Sequence, residues 1–406
     1  MSTGEALAAA ATQHDIPEIP QDARDRAHEL GWEDGLLELA LAQGHTLQEV
    51  WQALKGGIDG ATAKAFLAGG SMVQPDFSWM KVPTEWGIRA RPADPELGLT
   101  IGDLNIGTYG DIPDIWHNRS EIARGSYPTP VVEDMGYTIF DKATIWADCV
   151  VPLYEIAIRD RWASATDLRW ASLEPLPDDI EKAICQFATE QSERAFFQSA
   201  LISGWLPEIS YGYHEVKFFL STVIYDLARH TETFRKRALS NGGGLGLQAP
   251  TDYNRAAKEA RTYPELVAIL FVQDSMLLTL FEQGDLIAQN QLEREMYRLM
   301  ARDRRRLMDY QIERLKHFLW KLPERRGEQN LYFGKGEGYM AKEWNDSVVN
   351  EPLAMLLGGG RDHFEAGQAK LRELRKLQVQ NYVKHLAEAT FTRDHLNARF
   401  QEYLAE

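Results

Sequence analysis

Cysteine, surplus positive charge and long apolar runs are all scarce in this chain, and each shortage excludes a class of protein. Two cysteines among 406 residues, Cys149 and Cys185, cannot build a disulfide framework, which points to a reducing compartment. Lys plus Arg number 44 against 60 Asp plus Glu, and a formal net charge of −16 argues against a nucleic-acid-binding surface, with acidic residues flanking the basic run at 302–306. No stretch approaches the roughly 18 uninterrupted apolar residues of a membrane span. The first residues are Ala-rich but lack a basic segment followed by a long apolar run, so no signal peptide is evident. A soluble, cytoplasmic protein with a sizeable core is expected.

Glycine, proline and apolar spacing then divide the chain. Residues 1–20 read as a flexible N-terminus and 21–70 as a small unit of three short helices, over 23–30, 32–42 and 46–54. Thr46 followed by Glu49 has the Thr-x-x-Glu form of a capping box. Residues 71–135 are rich in Gly, Pro and Asp with little periodicity, and predict an irregular segment packed on the core, with a strand pair around 97–106. Helical spacing dominates 136–322, with helices expected over 144–162, 177–203, 215–240, 264–290 and 291–321. Long neighbouring helices favour a bundle. The Gly-rich tract 241–246 supplies residues that a helix end needs rather than a phosphate loop, since no strand precedes it. Residues 323–406 read as a connection followed by helices, the longest over 361–389. Gly334-x-Gly336-x-Gly338 lacks the rest of a dinucleotide fingerprint and is expected to be turn-rich. The fold class is all-α.

Four helical stretches carry polar residues where chemistry is expected. Glu190 and Glu193 lie within one turn of each other in 177–203, and either could face inward or remain solvated. The stripe Val216, Leu220, Val223, Leu227, His230, Phe234 is apolar apart from His230, which should therefore point into the bundle. A lone imidazole there is more often a satisfied core residue than a ligand. Asp274 sits mid-face between Leu270 and Leu277 and needs a cation, a metal or hydrogen-bond donors if buried. The fourth stretch carries Arg302-Asp303-Arg304-Arg305-Arg306-Leu307.

Residues 144–321 resemble the ferritin-like superfamily, in the branch of ribonucleotide reductase small subunits and bacterial di-iron oxygenases. The signatures are Leu153-Tyr-Glu-Ile-Ala-Ile-x-x-x-Trp162, Ala165-Thr-Asp-Leu-x-Trp170, Asp226-x-Ala-Arg-His230 and Arg235-Lys-Arg-Ala-Leu-x-Asn-Gly-Gly-Gly244. The resemblance covers less than half of the chain. It implies a four-helix core and oxygen activation at two irons, held by single carboxylates on two helices and Glu-x-x-His on the other two. This sequence departs from that set at Leu227, Arg304 and Leu307, which stand at three of the six ligand positions and cannot bind iron at neutral pH. A di-iron centre of the usual form is not expected. Glu193, His230 and Asp274 are what remains as metal candidates.

The substitution of arginine for a carboxylate suggests its own replacement. A guanidinium at Arg304, if inward, would pair with Glu193 or Asp274 and supply the positive charge in place of metal. The alternative turns Arg304 outward onto a solvated basic face with Arg302 and Arg305. Three functions stay open on this reading. The first is a metal-free scaffold or non-catalytic subunit with no cofactor, bound to a protein partner or a second copy of itself. The second is an oxidoreductase with a reduced site in which Glu193, His230 and Asp274 hold one Fe or Mn. The third is a bundle that binds a small organic molecule, with His230 as its polar anchor.

Overall fold

A computed structural model describes residues 17–69, 77–128, 132–241, 243–248 and 252–405. The chain divides into two compact units, Met1–Thr84 and Glu85–Glu406. Most of the N-terminal stretch expected to be flexible, 1–16, lies outside the described residues.

Among its described residues the first unit holds four α-helices, where three are expected: α1 (Gln21–Glu29), α2 (Leu36–Ala42), α3 (Leu47–Lys55) and α4 (Gly60–Leu67). At α3, Thr46 Oγ1 accepts from the Glu49 backbone N–H while Glu49 receives the Thr46 N–H, so the capping box is formed. Asp59 caps α4 by accepting from the Thr62 backbone N–H, without the reciprocal bond. Leu36, Val50, Leu54 and Ala63 meet in a core of their own.

The second unit is built on α5 (Val150–Arg159), α6 (Asp178–Trp205), α7 (His214–Ser240), α8 (Tyr263–Glu282) and α9 (Gln291–Lys321). Four more follow: α10 (Arg326–Glu343), α11 (Ser347–Gly358), α12 (Phe364–Glu388) and α13 (Ala398–Ala405). The starts are chemically marked. Thr262 accepts from Glu265 N–H ahead of α8, Asn290 from Glu293 N–H ahead of α9, and Asp346 from Val348 N–H ahead of α11. Helix α8 is the axis of the unit, for only Glu265 and Glu282 among its 20 residues escape burial. It alone among the described helices has the length and hydropathy of a membrane span, and 94% of that window is buried against protein. Helices α9, α10 and α12 pack directly on it, while α6 and α7, paired with each other, reach it through side chains such as Gln198 and Phe234.

Three further expectations change. The stretch 144–162 is not one helix: a single turn over Lys142–Ile145, capped by Asp141, precedes α5. No strand pair forms at 97–106. The described residues contain two isolated bridges elsewhere, and Gly102–Leu104 is a 3₁₀ turn. There the Asp103 carboxylate takes the N–H groups of Ala93 and Thr100, and Glu155 takes that of Ile101, so side chains satisfy backbone that a ladder would otherwise pair. The third change concerns Gly334, Gly336 and Gly338, which lie inside α10 rather than in a turn. A Cβ at Gly336 would stand 3.0 Å from Val272 Cγ2 and 3.3 Å from Ile269 Cα, so this glycine allows α10 to approach α8.

Candidate functional site

The inward faces of α6, α7, α8 and α9 carry two polar clusters, and α9 contributes neighbouring residues to both. Successive helical residues diverge by about 100°. Asp303 therefore turns toward α7 while Arg304 turns toward α8 and α6.

The first cluster is centred on Asp274, which is wholly buried. Arg304 Nη1 donates to its Oδ1 at 2.6 Å, with the two side chains 3% and 0% exposed. Gln198 Nε2 bridges both carboxylate oxygens at 2.8 and 3.0 Å, and Gln311 Nε2 donates to Oδ2 at 2.7 Å. Gln198 Oε1 in turn accepts from Arg304 at 2.6 Å. Burial pushes the Asp274 carboxyl up, against the opposing pull of Arg304 and the two amides.

The second cluster joins α7 to α9. Asp303 Oδ2 accepts from Arg229 at 2.7 Å, from Trp162 Nε1 at 2.8 Å and from His230 Nε2 at 3.1 Å, while Oδ1 accepts from Arg306 at 2.6 Å. Asp226 binds Arg229 and, at 2.9 Å, Arg306, so two carboxylates share two guanidinium groups. Arg229 also lies over the Trp162 ring at 4.4 Å. Burial pushes the His230 imidazole down to about 4, more than the Asp303 bond raises it, so it is neutral at pH 7. Its Nε2–H then points at Asp303 and its Nδ1 has no hydrogen-bond partner. Burial also raises the Asp226 carboxyl to about 6, with Asp303 adding to the rise. Burial opposes ionisation at Asp303 too, but the His230 bond and the guanidinium groups of Arg229 and Arg306 outweigh it and hold that carboxyl well below the usual range.

The three metal candidates are not brought together. Asp274 faces Arg304, His230 faces Asp303, and Glu193 stands at the margin of the bundle bound to Arg235 at 2.7 Å. Among the described residues no group of three or more His, Cys, Asp or Glu side chains is arranged to hold a metal ion. The donor chemistry does not fit the di-iron group that the resemblance implies. A guanidinium occupies the charge position, and N–H donors already engage both oxygens of Asp274 and Asp303.

Asp303, Gln198 and Gln311 complete the site beyond the candidates of the sequence, and spacing marks two of them. Gln198 lies on the stripe Ala188, Gln191, Ala195, Gln198, Ile202, all of them buried, and it is five residues, about 140°, from Glu193. Gln311 is seven residues beyond Arg304, two turns along one face. Asp303 precedes Arg304 as Asp226 precedes Leu227, so the second copy of the motif marks it at the position that Asp226 holds in the first.

Several solved structures are similar to this chain. Two are variants of an R2-like ligand-binding oxidase with an aerobically reconstituted Mn/Fe cofactor. One is 20% identical with a TM-score of 0.41, covering 60% of this chain and 94% of that chain. The other is 17% identical with a TM-score of 0.42, covering 60% and 93%. A third variant, anaerobically reconstituted, is 18% identical with a TM-score of 0.40 and covers 60% and 94%. No protein-family model matches the chain, and no curated protein matches it.

Proposed function

We propose that the second unit is a metal-free helical scaffold, or a non-catalytic subunit, whose buried charges are neutralised by protein side chains alone. The observation that carries this reading is the Arg304–Asp274 pair: an inward guanidinium 2.6 Å from the one carboxylate of α8's apolar face, closed off by Gln198 and Gln311. A divalent cation placed at Asp274 would meet the Arg304 charge at close range and would have to displace three donors. The oxidoreductase alternative needs Glu193, His230 and Asp274 around one ion, and each of those side chains is committed to a different partner.

Metal content of the protein expressed in iron- and manganese-supplemented medium tests the reading. The expected result is sub-stoichiometric Fe, Mn and Zn, unchanged in Asp274→Asn. One equivalent of transition metal that disappears in Asp274→Asn or His230→Gln would replace the scaffold with a metalloenzyme.

A further inference from the structure

Eight arginines are buried among the described residues. Six of them have a carboxylate within ion-pair distance: Arg124, Arg194, Arg229, Arg237, Arg304 and Arg306. Arg314 and Arg375 do not. Arg375, on α12, donates to the amide oxygens of Gln378 and Asn350, each at 2.9 Å, and lies 4.5 Å from the Trp344 ring centre. Its Nε–H has no partner.

Arg375 borders a cavity of about 30 Å³ between α6, α8 and the C-terminal helices. Arg194 of α6 also lines it, bound by both Glu190 and Glu343. Glu343 offers one oxygen to Arg194, and its other oxygen, Oε2, is buried without a partner. The walls therefore carry two positive and two negative groups, with the surplus negative charge at Arg194 and the surplus positive charge at Arg375. An anion would upset that balance. A neutral molecule with both a donor and an acceptor would complete it, and a water needs roughly 10–15 Å³.

We propose that this cavity is a built polar site for a small neutral hydrogen-bonding occupant. It accepts from Arg375 Nε–H, donates to Glu343 Oε2, and so couples α12 to α10 and α6. Its chemistry is that of one or two ordered waters, or of a hydroxyl or amide compound with no more than about three non-hydrogen atoms. The site is separate from the Asp274 and Asp303 clusters and does not depend on the scaffold reading.

Crystals of the full-length protein, soaked separately in sodium bromide and in formamide, test it directly. Water density within hydrogen-bonding distance of Arg375 Nε and Glu343 Oε2 in both soaks supports the site with water as occupant. Replacement of that density by formamide supports it with a small-molecule occupant. A bromide anomalous peak at Arg375 overturns it, as does an empty cavity in which Arg375 Nε and Glu343 Oε2 are bonded elsewhere. In solution, Arg375→Met and Glu343→Gln are each expected to lower Tm, and the double variant to lose clearly less than the sum. Additive losses would overturn the coupling.

Discussion

Asp303 and Arg304 are consecutive residues on one helix, yet they serve two clusters with opposite tolerances to damage. Around Asp303, two carboxylates and two guanidinium groups are cross-bonded, so each charge has more than one counter-charge. Around Asp274 there is one carboxylate, one guanidinium and two neutral amides. Both sets balance as charges, but only the first has spare connections. A buried ion pair is weak support for stability when intact and a large liability once broken, so the two clusters should differ most when an arginine is removed.

The largest effect is expected from Arg304→Met, which leaves Asp274 wholly buried with amide donors alone. A loss of about 3–5 kcal/mol is expected at pH 7, the usual cost of an uncompensated buried charge. Urea unfolding measures it. The loss should shrink at pH 5, where protonating Asp274 is easier, and Arg304→Met combined with Asp274→Leu should recover most of it. A loss under about 1 kcal/mol, within the range of exposed pairs, would remove the contrast between the clusters.

Next in size is the pH response set by His230. Its imidazole is depressed from 6.5 to about 4 in the folded protein. Between those values the unfolded chain binds a proton that the folded chain does not, so its contribution is complete above pH 6.5 and is lost as pH falls toward 4. A shift of that size is worth about 3 kcal/mol across the window. The raised Asp226 carboxyl works in the opposite direction between its unfolded and folded values, and His385, also depressed to about 4, works in the same direction as His230. The informative quantity is therefore a difference. His230→Gln, which keeps a donor for Asp303, should flatten the stability curve between pH 6.5 and 4 relative to the unmodified protein. Parallel curves would mean that the imidazole titrates normally.

Arg306→Met is expected to lose about 1–3 kcal/mol, the range for one hydrogen-bonded charge partner among several. Asp226 keeps Arg229, and Asp303 keeps Arg229, His230 and Trp162. Two nitrogens of Arg306, Nε and Nη1, are buried without partners, and the substitution removes those as well. If Arg306→Met proved as damaging as Arg304→Met, cross-bonding would not be what protects the Asp303 cluster.

The same contrast explains what the sequence disclosed. The long helices, the inward placement of His230 and the polar isolation of Asp274 follow from stripes of period 3.6, because burial of one face is a local property of a helix. Arg304 was ambiguous because its orientation depends on a partner 30 residues away and on two amides that no charge rule selects. Helix α10 is not legible in the sequence for a related reason: Gly336 disfavours a helix locally, and it fits there because α8 lies too close for a side chain. Glu193 shows the limit of counting carboxylates. It is correctly placed in a bundle helix, yet its side chain reaches Arg235 at the margin and not the core.

The smallest effect, and the sharpest test of the Asp274 cluster, is expected from Gln311→Met. The amide of Gln311 donates to Asp274 Oδ2 at 2.7 Å, a bond to a charged acceptor worth about 1.5–3 kcal/mol. Its carbonyl Oε1, however, is buried with no donor, and replacing the side chain with an apolar one of similar length also removes that unsatisfied group. The two contributions oppose each other, so a net loss of about 1 kcal/mol is expected. In the Arg304→Met background the same change should cost more, because Gln311 would then be one of only two donors holding Asp274. A double-mutant cycle read by urea unfolding measures this excess. A coupling energy near zero would mean that Arg304 and Gln311 act on Asp274 independently, and that the cluster is two separate bonds that share one carboxylate.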